Sequence, residues 1–375
     1  MRDFDRASEW CATVRRSSER WSDRITFSIC RTHYADVLLW RGAWTDCESE
    51  LDSAQREFAA LNARRVADAV ARLGELRRRQ GRAGEARALF DSAPAHPVAI
   101  LGRGDSHRAM ALLEHGHVLM LPDLAFDTAG AEDVMYAEVS DTGVKNVSFN
   151  PRTGEMKGTT LTGDQRERLK AVTTRFSDWA ETLVKELLPA YAGSLERGRT
   201  SFRPRAADHN LSKRKDDRRL HVDAFPSQPV QGKRILRVFR NVNPSGEARH
   251  WRVGEPFADH AARFLPRTRG MAPGAGLLLR TLGSTKGRRT AYDNLMLQLH
   301  DASKEDDEYQ ANGPRWEVDF PAGATWMCFT DSVVHAALSG RYLFEQTFYL
   351  PVAAMGDPTA SPVRTLEAMT GRRLV

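Results

Sequence analysis

His221 and Asp223 stand two residues apart in the stretch Arg218-Arg219-Leu220-His221-Val222-Asp223-Ala224-Phe225-Pro226. On a β-strand, residues i and i+2 point to the same side, so this tripeptide aims an imidazole and a carboxylate at one point. A histidine delivered by a second strand would complete a 2-His-1-carboxylate set. Such a set covers half of an octahedron and leaves half open, which suits non-haem Fe(II) that must also bind a co-substrate and O2. The tripeptide alone occurs by chance in many proteins, as an exposed or packed His beside a solvated Asp. Its meaning therefore depends on its surroundings.

The third ligand is expected at His335, which follows Trp326-Met327-Cys328-Phe329-Thr330-Asp331-Ser332-Val333-Val334 and precedes the turn Ser339-Gly340. His300 competes but sits on a helical pattern, which reads as a surface or supporting residue. His250 and His260 lie in charged, loop-like surroundings. No GxSxG elbow, P-loop, GxGxxG or HExxH offers another chemistry.

Iron of this type usually takes 2-oxoglutarate, whose far carboxylate needs a cation, best a bidentate arginine. Many such enzymes place it about ten residues after the last histidine, but eleven residues after His335 comes Gln346, and Arg341 at the turn is the one arginine nearby. Arg237 is the better candidate. In the alternating strand over 232–244 it shares a face with Ile235, Phe239 and Asn241, which points it into a barrel. Arg237, Asn241 and Gln346 form the expected co-substrate set. Lys286, Arg289 and Arg341 are further cationic candidates.

These residues need strands to position them. Helical spacing covers 161–188, with Leu169, Val172, Phe176, Trp179, Leu183 and Leu187 as a core-facing stripe and Pro189 as the stop. Short strands are expected at 117–122, 145–151, 232–244, 275–280, 315–320, 325–330, 333–338 and 342–352. A further helix carries Tyr292, Leu295, Met296 and Leu299, with His300 near its end. Short strands joined by tight turns predict a mainly β fold: a double-stranded β-helix (jelly-roll, cupin-like) core at about 215–352, with flanking helices. The basic strand at 234–240 also has a plainer reading, a wet sheet edge.

Residues 1–95 have a different texture, with 17 Arg, no Lys and three of the four Cys. Runs such as 58–70 have helical composition, and 92–97 reads as a linker. The expected organisation is a helical N-terminal extension, 1–95, and a dioxygenase domain, 108–375. Arg77-Arg78-Arg79 reads first as solvated helix surface and second as a nucleic-acid or membrane contact. The extension has an alternative reading, upstream sequence from an early start codon, with Met110 or Met120 near the beginning.

The 375 residues are 41% hydrophobic and 28% charged, with a net charge of +6. They show no apolar run of membrane-spanning length, and the N-terminus lacks the order of a signal peptide. A cytoplasmic location is the expectation. Cys11, Cys30, Cys47 and Cys328 show no CxxC spacing, so neither a zinc site nor a disulfide framework is indicated. The positive charge permits an anionic partner without choosing one.

The chain from about residue 108 onward resembles the bacterial Kdo hydroxylases, Fe(II)/2-oxoglutarate dioxygenases acting on 3-deoxy-D-manno-oct-2-ulosonic acid (Kdo). The resemblance rests on 215–227, 234–239 and Trp251-Arg252-Val253-Gly254-Glu255-Pro256-Phe257. It extends to Thr285-Lys286-Gly287-Arg288-Arg289-Thr290-Ala291-Tyr292-Asp293, 325–331, His335-Ala336-Ala337-Leu338 and 345–351. It implies hydroxylation of Kdo at C3, giving Ko, in the lipid A-linked inner core of lipopolysaccharide. Fe(II), 2-oxoglutarate and O2 are the implied cofactor and co-substrates, and a Kdo-containing lipid A precursor is the implied partner. The enzyme would then work at the cytoplasmic face of the inner membrane, in peripheral contact with it. Arg219, Arg252, Lys286 and Arg289 are candidate contacts to an anionic acceptor. Three other readings stand beside this one: a 2-oxoglutarate dioxygenase for a different anionic sugar or lipid, a non-enzymatic jelly-roll sugar-binding protein, and, least favoured, nucleic-acid binding by the Arg-rich helices.

Overall fold

Three helices make up most of the described Arg-rich segment: α1 (Arg24–Arg41), α2 (Trp44–Ala60) and α3 (Val66–Arg79). Ala35, Leu38, Leu39, Cys47, Leu51, Leu73 and Leu76 form their shared core. Of the run over 58–70, residues 58–60 end α2 and 66–70 open α3, while 61–65 lie outside the described residues. Arg77 is not solvated surface: it is 9% exposed and paired with Glu48. Arg79 bonds Glu75 at 2.8 Å. Two arginines of the triple are thus engaged within the helices, which leaves the triple poorly suited to grip a polyanion. The computed structural model describes residues 9–14, 16–17, 24–60, 66–82, 85, 89, 97–101, 106–122, 124–141, 144–205, 211–272, 274, 276 and 280–375. The linker expected at 92–97 lies outside them except for Pro97.

The chain divides into two compact units, Met1–His96 and Pro97–Val375. The second begins before the expected residue 108, because β1, β2 and the core residues Leu101, Ala109 and Leu113 are built into its sheet and core. Its order is β1 (Val98–Ile100), α4 (Ser106–Glu114), β2 (Val118–Leu121), β3 (Val147–Asn150), β4 (Glu155–Lys157), α5 (Gly163–Leu187), β5 (Glu196–Arg203), β6 (Arg234–Asn241), β7 (Arg249–Gly254), α6 (Phe257–Phe264), α7 (Ala291–Glu305), α8 (Asp307–Asn312), β8 (Arg315–Phe320), β9 (Thr325–Phe329), β10 (His335–Ser339), β11 (Leu343–Leu350) and α9 (Pro362–Thr370).

Two sheets form the jelly roll. The larger runs β1-β2-β9-β6-β11-β5-β3-β4 and the smaller β10-β7-β8, with His221 bridged antiparallel to His335 beside β10. Alternation sorts the side chains. On β6, Leu236 and Val238 join the core under α5, while Phe239 joins Trp251, Phe320, Trp326 and Cys328 between the sheets. The stripe on α5 docks as expected, Phe176 stacking on Phe344 at 5.0 Å. All eight residues of β6 are buried, so the basic strand is central rather than a wet edge. Its cations are matched: Arg234 meets Asp331 at 2.8 Å and Arg240 donates to the Leu124 carbonyl at 2.7 Å.

The core also starts earlier than 215. Glu196-Arg197-Gly198-Arg199-Thr200-Ser201-Phe202-Arg203 makes β5, paired with both β11 and β3, although its polar composition gives a weak strand signal. The strand expected at 275–280 falls largely outside the described residues, and Gly276 and Arg280 there are helical.

Candidate metal centre

The segment carrying His221 is held from two directions. Leu220 and Val222 bury against the helices α6 and α7, so period-two alternation turns His221 and Asp223 the other way, into the barrel. The His221 amide donates to the His335 carbonyl at 3.0 Å, and the His335 amide returns a bond at 2.8 Å. The Asp223 amide donates to the Thr330 carbonyl at 2.8 Å. Backbone pairing therefore brings together residues more than a hundred positions apart. One ligand atom from each of His221, Asp223 and His335 lies within 4.8 Å of the others.

Both imidazoles are fixed in tautomer and orientation. His221 Nδ1 lies 2.7 Å from the Arg219 carbonyl and His335 Nδ1 2.8 Å from the Val333 carbonyl. A carbonyl only accepts, so each Nδ1 carries the proton and each Nε2 keeps its lone pair for a metal. Trp251 stacks on His335 at 5.2 Å, and His300 stands edge-on to His221 at 5.2 Å. His300 lies within α7 and outside the ligand set. Burial depresses His221 well below the ordinary imidazole range, helped by Lys304. Burial also lowers His335. Both are thereby neutral and ready to ligate. Burial alone would raise the Asp223 carboxyl, but the Arg237 guanidinium beside it outweighs burial and keeps it anionic. Its Oδ2 is buried without a hydrogen bond. Two neutral nitrogens and an under-satisfied carboxylate fit a divalent first-row cation.

Arg237 is where the sequence placed it, inside the barrel. Its Nη1 lies 3.2 Å from Asp223 Oδ2 and 3.3 Å from Glu345 Oε1, and its Nε is a buried donor without a partner. Asn241 does not join this cluster. Its Nδ2 donates to the Glu247 and Phe320 carbonyls and its Oδ1 accepts from the Asn243 amide, so it holds a turn at the far end of β6. Gln346 faces the other way, its Oε1 accepting from Ser177 on α5 at 2.8 Å and from Thr200 at 2.6 Å. The inward neighbour is Glu345, bridged to Arg203 at 2.9 Å. Counting across the β10–β11 turn missed by one residue, and in a strand one residue changes the face.

The acceptor candidates divide as well. Arg219 donates to the Lys304 carbonyl and to Asp307 at 2.5 Å, and Arg252 pairs with Glu317 at 3.2 Å, so both are occupied. Arg289 donates to the Pro226 carbonyl and the Lys286 amide to the Ser227 carbonyl at 2.8 Å, beside the loop that follows Asp223. Sequence reasoning did not single out Glu345, Arg203, Asp217 or Lys304. Asp217 bridges Arg203 at 3.5 Å, Lys145 at 2.9 Å and Lys304 at 3.6 Å. For Arg203 and Glu345 the available signal was a pair of opposite charges on the neighbouring strands β5 and β11; Asp217 and Lys304 lie off these strands and gave none.

A jelly roll whose smaller sheet, through β10 and the segment bridged to it, brings two histidines and an aspartate to one point, with a buried arginine from the larger sheet alongside, defines the class of non-haem Fe(II)/2-oxoglutarate dioxygenases. Within that class, residues 102–373 match the family of 3-deoxy-D-manno-oct-2-ulosonic acid (Kdo) hydroxylases. The chain belongs to this family. It is similar to solved structures of the Kdo hydroxylase KdoO, a non-haem Fe(II) α-ketoglutarate-dependent dioxygenase. The complex with cobalt(II) is 41% identical with a TM-score of 0.72, and the complex with α-ketoglutarate and Fe(III) is 40% identical with a TM-score of 0.71. The complex with succinate and Fe(III) is 41% identical, also with a TM-score of 0.71. Each match covers 75% of this chain and 98% of the other. Comparison with curated protein sequences gives no match.

Proposed function

We propose that this Fe(II)/2-oxoglutarate-dependent Kdo hydroxylase acts at C3 of Kdo in the lipid A-linked inner core of lipopolysaccharide, giving Ko. Convergence of His221, Asp223 and His335 within 4.8 Å carries the reading. Family membership and the KdoO likeness supply the sugar. His221 Nε2, one Asp223 oxygen and His335 Nε2 would hold the iron. Bound iron, 2-oxoglutarate and O2 supply the oxidation, one oxygen atom entering the sugar and the other entering succinate as CO2 leaves. The protein's share is placement: Trp251 and the two carbonyls keep the imidazoles aligned. Arg237 offers its unpartnered Nε and its charge to the far carboxylate of 2-oxoglutarate. It is already desolvated, so little reorganisation is needed on binding.

The acceptor would approach past the loop 224–227. Near it, Lys286 and Arg288, whose backbones bond Ser227 and Gln231, make no ion pair among the described residues; nor does Arg280 earlier in the same segment, and Leu282 between them in sequence is 69% exposed. Free cations flanking an exposed apolar side chain suit an anionic glycolipid at a membrane surface. Among the described residues no helix is long and apolar enough to cross a membrane. The contact proposed is peripheral, at the cytoplasmic face. The test is mass spectrometry of lipopolysaccharide from cells with and without the gene. One additional oxygen confined to C3 of Kdo is expected. Oxygen on another residue, or no difference, would overturn the acceptor.

A further inference from the structure

The residue before the first metal ligand is gripped by one side chain. The Leu220 amide donates to Gln310 Oε1 at 2.7 Å, and Gln310 Nε2 donates back to the Leu220 carbonyl at 3.0 Å. The same Nε2 reaches the Ser303 carbonyl on α7 at 2.8 Å. A carboxamide carries both a donor and an acceptor, so Gln310 closes on the backbone as a neighbouring strand would. Its own helix, α8, is capped by Asp306, which accepts from the Tyr309 amide at 2.9 Å. It is also braced against Arg219 through Asp307. Arg219 in turn supplies the carbonyl that fixes His221 Nδ1.

We infer that Gln310 is a positioning residue for the metal centre: by clamping both backbone groups of Leu220 it sets the direction of the His221 ring and hence the affinity for the divalent cation. The inference rests on the metal-centre reading above. Without the clamp, the segment 219–221 keeps its bridge to His335 on one edge and loses its only side-chain partner for Leu220 among the described residues. The ring then samples directions in which Nε2 misses the ion. Outer groups that orient a metal-bound histidine typically change metal affinity about 10- to 100-fold.

The structure contains an internal control. Gln298, one helix earlier, makes the same clamp on Arg269, accepting from its amide at 2.7 Å and donating to its carbonyl at 2.9 Å. Arg269 is far in sequence from every ligand. The experiment titrates Co(II) into the metal-free full-length wild type, Gln310→Met, Gln310→Glu, Gln298→Met and His221→Ala. It follows the cobalt absorption spectrum and records each protein's thermal unfolding. Expected are a Kd about 10- to 100-fold weaker and an altered cobalt spectrum for Gln310→Met, an unchanged Kd for Gln298→Met, and partial recovery in Gln310→Glu, which restores the acceptor but not the donor. Equal Kd values for wild type and Gln310→Met, or equal weakening by Gln298→Met, would overturn the positioning role. Failure of the metal-centre reading would look different, with wild type and His221→Ala binding cobalt alike.

Discussion

A histidine ligates a metal only with its lone pair aimed and its proton elsewhere. At His221 and His335 the chain meets both conditions with main-chain carbonyls two residues upstream, so the device is local and repeats at both ligands. Arg237 balances the charges of Asp223 and Glu345, and under the proposed function it also meets an incoming dicarboxylate. Arg237→Met should raise the KM for 2-oxoglutarate about 10- to 100-fold, the worth of a charge-assisted hydrogen bond, with a smaller change in kcat. Steady-state kinetics with varied 2-oxoglutarate checks this, and an unchanged KM would give the far carboxylate to another cation. His221, Asp223, His335 and Arg237 were all legible in the sequence, because residue type and period-two alternation suffice for side chains on or beside strands. Asn241 and Gln346 were misread for a physical reason: alternation gives a face but not a depth along the strand, and an offset counted across a turn does not give the face.

The helices act as braces. Asp293 is the N3 residue of the capping box that opens α7. Its Oδ1 also accepts from the Val230 and Gln231 amides at 2.8 and 2.9 Å. One carboxylate thus starts the helix and pins the loop that leads from Asp223 to β6. Asp293→Ala should cost about 1–3 kcal/mol, combining a lost cap with stranded amides, seen as a lowered thermal midpoint and faster proteolysis at 224–233. Wild-type stability would remove this brace from the account. His260 on α6 is buried, which pushes its pKa down to about 3. Folded, it stays neutral; unfolded, it takes a proton near pH 6.5. Its contribution is therefore complete above about pH 6.5 and is lost as pH falls toward 3. His260→Phe should flatten the stability profile between pH 7 and 5 relative to wild type, by denaturant titration at each pH. Such braces were hard to read in sequence. The pattern gave α5 and α7, but nothing in Gln310 or Asp293 alone names the backbone groups they would hold.

At the scale of the molecule, the two units differ in composition and in relatives: the family match starts at residue 102, after the Arg-rich helices. A chain starting at Pro97 should keep iron-dependent succinate formation. Chains starting at Met110 or Met120 should fail to fold, since they lack β1 and break α4 or β2, which pairs with β9 through Leu119 and Met327. Circular dichroism and succinate assays compare the three, and a folded, active protein from Met120 would contradict this reading of the core.

The claim beneath all of this is that three side chains share one ion, and anomalous diffraction from crystals soaked in Co(II) addresses it directly. A single peak about 2.1 Å from His221 Nε2, His335 Nε2 and an Asp223 oxygen is the predicted result. A peak elsewhere, or none in a protein that still turns over 2-oxoglutarate, would contradict it.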